Sequence, residues 1–189
     1  MEDYEALYNH HRSKYYEACS EVNGWERSVV AWKNQRQGTI NWINELEAKK
    51  RRTNDAIDDL KAVLNCKGSV DEKLSTASKK LDDASANYSV MVNASDVSSK
   101  SLSDVFSEES RKTTASINDV FDKVKRRHDQ LQDKVNELNT QLRNARGQLE
   151  NLNAQIRSGE SALHNWSVSR NNHMYNMDYY KRKMQTQAC

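Results

Sequence analysis

Two stretches of this chain place their apolar and aromatic residues at alternating steps of four and three, and that period leaves few folds open. The first runs Tyr4, Tyr8, His11, Tyr15, Ala18, Val22, Trp25, Val29, Trp32, Arg36, Thr39, Ile43, Leu46, Lys50, Thr53, Ile57, Leu60 and Leu64. The second runs Val124, His128, Leu131, Val135, Leu138, Leu142, Ala145, Leu149, Leu152, Ile156, Gly159, Leu163, Trp166, Arg170, His173, Met177, Tyr180 and Met184. A mean step of 3.5 keeps one stripe of a helix turned towards a partner helix, as a left-handed coiled coil requires. The two stripes are equally long, so a chain reversing between them would bring Leu64 beside Val124 and Tyr4 beside Met184. The expected fold is all-α: an elongated antiparallel coiled-coil helical hairpin of about 90 Å, carrying a small helical head. A parallel homodimer of the same helices is the rival arrangement.

Composition supports a narrow seam over a globular core. Only 36% of the residues are apolar and 30% are charged, with a mean hydropathy of −1.01, too little apolar material to fill a compact domain of this length. Disordered chains share that polarity but are proline-rich and aperiodic, whereas this chain has no proline and strong periodicity.

The first arm is expected to stop near Cys66-Lys67-Gly68-Ser69, where Gly68 can adopt the left-handed conformation that ends a helix and Ser69 with Glu72 has capping-box spacing. A shorter helix follows through Val70, Leu74, Ala77, Leu81, Ala84, Tyr88 and Met91, fading into a Ser-rich loop near 93–103. Ser103 then reads as the N-cap of a third helix. The chain thus divides into an N-terminal coiled-coil arm (1–66), a helical head (67–120) and a C-terminal coiled-coil arm (121–189).

Several function classes lose support. The 29 basic and 27 acidic residues leave a net charge of +2, which gives no field to attract nucleic acid. The basic runs Lys49-Lys50-Arg51-Arg52 and Lys123-Val124-Lys125-Arg126-Arg127 are flanked by carboxylates and read as solvated faces. Cys19, Cys66 and Cys189 are too scattered for a disulfide framework or a metal site, and His10, His11, His128, His164 and His173 show no ligand spacing with them. No stretch approaches the length of a membrane span, and the acidic Met1–Glu5 segment is not a Sec-type leader. The chain is expected to be cytoplasmic at synthesis, any export proceeding without that leader. Neither a cofactor, membrane insertion nor catalysis is expected, because a two-helix stalk offers no shaped pocket.

The aromatic residues carry the positive signal. Tyr4, Tyr8, Tyr16, Met174, Tyr175, Tyr179 and Met184 would gather where the two arms end, and Trp42 stands one position off the stripe. Tyr and Met bury large areas at small entropic cost, so these eight residues form the candidate partner-binding set. Tyr8, Tyr15 and Met177, lying on the stripe, also fit a purely internal packing role.

In organisation the chain resembles small helical proteins associated with bacterial type VII secretion, the WXG-like and LXG-associated proteins and most closely the YwqH-like group. The likeness lies in the N-terminal coiled-coil arm, the Ser-rich middle leading into a helix with Phe106 and Phe121, and the run Leu131-Gln132-Asp133-Lys134-Val135-Asn136-Glu137-Leu138 continuing through Leu149 and Ile156. Val97-Ser98-Ser99 and Leu102-Ser103-Asp104 stand where a Trp-X-Gly would lie, and Tyr175 and Tyr179 do not begin a Tyr-X-X-X-Asp/Glu signal. The resemblance implies a leaderless bacterial adaptor, targeting factor or co-secreted component that pairs with a toxin's N-terminal helical domain or a small helical partner. A self-assembling structural coiled-coil scaffold is the alternative.

Overall fold

The protein is all-α. The computed structural model describes residues 3–91 and 99–187, and at 85–91, 99–103, 105 and 106 the backbone alone. It contains α1 (Tyr4–Asn65), α2 (Lys67–Met91) and α3 (Ser99–Gln187). The Asp3 carboxylate caps α1 by accepting a 2.9 Å hydrogen bond from the Ala6 amide, satisfying one of the amides that a helix start leaves unpaired.

α1 ends at Asn65, where the sequence predicts a stop, but the expected device needs correction. Gly68 does not take a left-handed conformation; no described glycine has positive φ. Instead Cys66 alone separates the helices. Its amide donates to the Val63 carbonyl at 3.1 Å, tightening one turn, and its carbonyl accepts from Val70 at 3.0 Å, so helical bonding restarts at once. Gly68, Ser69 and Glu72 all lie inside α2, leaving no helix start at Ser69 to cap. Further on, α3 is already helical at Ser99, so Ser103 lies within it and is not its N-cap. Residues 93–98 of the expected loop fall outside the described residues, as do the side chains of Tyr88, Met91 and Phe106.

The helices pack into two compact units: residues 1–47 with 141–189, and residues 48–140. In the first unit the core is Ala18, Val22, Val29, Ile43 and Leu46 against Leu142, Ala145 and Ile156. In the second it is Ile57, Phe121, Val135 and Leu138, with the Lys67 ammonium 5.7 Å from the centre of the Phe121 ring. Every stripe position named from Tyr4 to Leu64 and from Val124 to Met184 is buried or half-buried. The α2 stripe is poorer. Beyond Leu74 its Ala77, Leu81 and Ala84 are exposed, whereas Ser78 is half-buried, because Leu74 and Ser78, not Ala77, line the space shared with Ser110 and Thr114 of α3.

One seam position is costly. The Arg36 Nε is buried without a hydrogen-bond partner, and an unpaired buried donor costs about 1–3 kcal/mol. Replacing Arg36 by Leu or Met should therefore stabilise the first unit by about 1–2 kcal/mol, seen as a higher urea midpoint. A lower midpoint would show that the guanidinium contributes more than its burial costs.

Candidate protein-interaction site

Contacts in the first unit run in opposite chain order along its two helical segments. Tyr4 stacks on Tyr180 with ring centroids 6.2 Å apart, and His11 lies against His173. Gly159 sits beneath Val29 and Trp32, and Glu47 pairs with Arg146. The register that places Tyr4 beside Met184 also pairs Val29 with Gly159, as observed, and Tyr8 with Tyr180, whose ring lies against both Tyr4 and His11, the stripe neighbours of Tyr8.

Charge is not spread evenly around this seam. On one side the cross-helix ion pairs Lys33–Glu160 (2.7 Å) and Glu47–Arg146 (2.8 Å) bridge the two segments. The other side is an open groove of about 530 Å³. Thr39 and Leu152 are its seam residues, flanked by Gln35, Gly38 and Trp42 of α1 and by Gln148, Asn151 and Gln155 of α3. Extending this side by helical steps of three and four adds Gly24, Ser28 and Ala31 on α1, and Ser158, Ala162 and Asn165 on α3. None of these positions is charged, in a chain where 30% of residues are, and on α1 the uncharged span is bounded by Glu21 and Glu45 at the next steps. Solvated helix faces normally carry Lys, Arg, Asp and Glu, while the centres of helix–helix interfaces are depleted of them.

The glycines on this side lack an explanation inside the chain. A Cβ on Gly24 or Gly38 would meet nothing within 4 Å, yet each glycine costs a mid-helix position about 1 kcal/mol relative to Ala. Gly159, by contrast, is required by packing: a Cβ there would lie 2.7 Å from Trp32 Cζ3 and 2.8 Å from Val29 Cγ2. Gly38 opens the groove beside Trp42, which remains 40% exposed.

The other sequence-derived candidates lie towards the chain ends. Tyr16, Met174, Tyr175 and Tyr179 are exposed, Tyr175 most of all at 66%. Tyr4, Tyr8 and Met184 are half-buried along the seam. Cations sit over two of the exposed rings, Arg12 at 6.0 Å from the Tyr16 centroid and Lys183 at 5.6 Å from that of Tyr179. The Tyr15 hydroxyl is shifted above its usual pKa, chiefly by a hydrogen bond with Cys19. The eight candidates therefore do not form one patch. Trp42 belongs to the uncharged groove, and the other seven to the end where Tyr4 meets Tyr180.

Residue choice by aromatic content misses the amide and small residues around Trp42. Their signal is legible in sequence as the positions flanking the stripe on one side, where Gln141, Gln148 and Gln155 recur at seven-residue intervals and no charge intervenes. Among the described residues no group of three or more His, Cys, Asp or Glu is placed to hold a metal ion, and no helix is long and apolar enough to cross a membrane. No family model, curated protein or solved structure matches this chain.

Proposed function

We propose that this protein is a non-enzymatic, helical protein-binding adaptor whose uncharged face around Trp42 receives an amphipathic helix of another protein. The observation that carries this reading is the segregation of charge. A helix seated between α1 and α3 would cover Thr39, Leu152 and Trp42, while the Gln and Asn rim hydrogen-bonds to it without fixing a charge pattern. Gly24 and Gly38 would let its backbone approach closely. The reading takes the whole chain as an elongated antiparallel hairpin, supported by the reversed contact order in the first unit. The resemblance noted above makes the partner a toxin's N-terminal helical domain or a small helical protein of a bacterial type VII secretion pathway. The adaptor would then be a targeting factor or co-secreted component of that pathway.

The test is co-purification with such a helical domain, using the Gln148→Glu/Gln155→Glu double variant. Two carboxylates desolvated on docking should weaken binding at least 100-fold at about 1.5 kcal/mol each, while the exposed positions leave the free protein folded. Tyr175→Ala/Tyr179→Ala tests the chain-end set in the same assay. Undiminished capture by Gln148→Glu/Gln155→Glu would remove the groove from the reading.

A second reading is favoured by the amides themselves. Amide groups both donate and accept, so this face is complementary to its own copy in a twofold pair, as a like-charged face would not be. The alternative is thus a self-assembling coiled-coil scaffold beginning from a homodimer. Light scattering separates the two: a monomer at high concentration excludes the scaffold.

A further inference from the structure

The chain-end cluster contains a polar contact that the partner-binding reading does not use. His11 on α1 and His173 on α3 bring their Nδ1 atoms to 2.9 Å, with ring centroids 5.2 Å apart. Two imidazole nitrogens at that distance share one hydrogen. With both rings neutral, one Nδ1–H donates to the other Nδ1; with one ring protonated, the imidazolium donates in the same way. A second proton places N–H against N–H and leaves no acceptor between them.

The surroundings make that second proton unwelcome. From α1, His10 meets the His11 ring edge-on at 5.3 Å. From α3, the Tyr180 ring stacks on His11 at 5.5 Å and 13°; Arg170, three residues before His173 in sequence, acts on Tyr15. Lys14 is occupied by Glu17 at 2.6 Å, and the Asp3 carboxylate caps its own helix. No carboxylate is paired with His11 or His173 among the described contacts. Burial, then His173, then His10 hold the His11 imidazole below its ordinary pKa.

We propose that His11 and His173 form a proton-sensitive latch that holds the first turns of α1 onto the last turns of α3 at neutral pH and releases them in acid. Closure hides one face of Tyr4, His11 and Tyr180 in a continuous ring stack. Opening exposes that stack together with the half-buried Tyr8, Met177 and Met184, enlarging the aromatic surface at this end.

The sign follows from linkage. A histidine whose folded-state pKa is depressed binds fewer protons folded than unfolded, so its contribution is complete above about 6.5 and is lost as pH falls from there through the folded value. For the one proton that the closed pair cannot accept, each pH unit below about 6.5 favours opening tenfold, a limit of about thirtyfold at pH 5.

The experiment is amide hydrogen exchange on the full chain at pH 7.5 and 5.0, without any partner, read as protection factors corrected for intrinsic exchange. Protection of residues 4–15 and 173–184 should fall at least tenfold on acidification while residues 18–46 keep theirs. His11→Phe/His173→Leu, which retains ring stacking on Tyr180 and removes both protons, should abolish the difference between the two pH values. His173→Asn, whose amide can still bond to His11, should reduce it. Equal protection at both pH values in the wild type overturns the latch, as does an unchanged pH response in the Phe/Leu variant. Because no partner is present, failure here leaves the groove proposal standing, and failed co-purification leaves the latch standing.

Discussion

Substituting Leu for Gly159 is expected to destabilise the first unit by about 2–3 kcal/mol through overpacking. Even the first added carbon would lie under 3 Å from both the Trp32 ring and a Val29 methyl, and neither is a flexible chain end. The two helical segments would have to part locally or Trp32 leave its rotamer. Gly159→Ala should be milder, since part of the clash is offset by about 1 kcal/mol of recovered helix propensity. At Gly24 and Gly38 the sign reverses. With no atom within 4 Å of the new methyl, Ala at either position should stabilise the free protein by about 1 kcal/mol. Urea unfolding followed by tryptophan fluorescence measures the set, because Trp25, Trp32, Trp42 and Trp166 all belong to the first unit. A Gly159→Leu protein as stable as the wild type would refute the close approach at this point.

Leu46→Ala should cost about 2–3 kcal/mol, towards the lower end of the range for buried leucines. Leu46 is only 2% exposed, but a seam two helices wide lets solvent or neighbouring side chains enter the space more readily than a thick core would. The companion substitution Leu138→Ala, at a residue 3% exposed in the second unit, should cost a similar amount. The two are distinguishable by probe: Leu46→Ala lowers the tryptophan-detected midpoint directly, whereas Leu138→Ala acts first on helix content in a unit without tryptophan. A loss below about 0.5 kcal/mol for both would mean that seam burial contributes little to stability.

The stripe was legible because its signal repeats. Thirty-six positions at steps of three and four leave no other face to bury, and even Arg36, Lys50, His11 and Gly159 take the places that the period assigns them. Single-residue signals proved weaker. Gly68 and Ser69 carry good local chemistry for a turn, yet backbone bonding across Cys66 overrides them. Ser103 resembles a cap but follows residues that are already helical. Burial in α2 depends on which of its faces meets α3, and that Ser78 and not Ala77 is half-buried there cannot be read from α2's apolar pattern. For interaction, Trp42 was visible as an off-stripe aromatic residue, whereas its amide-rich surroundings emerge only when the flanks of both stripes are compared. The His11–His173 contact depends on side-chain reach between neighbouring stripe positions, which spacing alone does not set.

The pairing of Tyr4 with Tyr180 also has a consequence on the ribosome. His11 must wait for a residue 162 positions later, roughly ten to thirty seconds at about 5–20 residues per second. Throughout that interval the nascent first helix presents an unanswered apolar stripe, and a neighbouring chain on the same message can answer it first. The yield of correctly closed molecules should therefore depend on translation density as well as on thermodynamics.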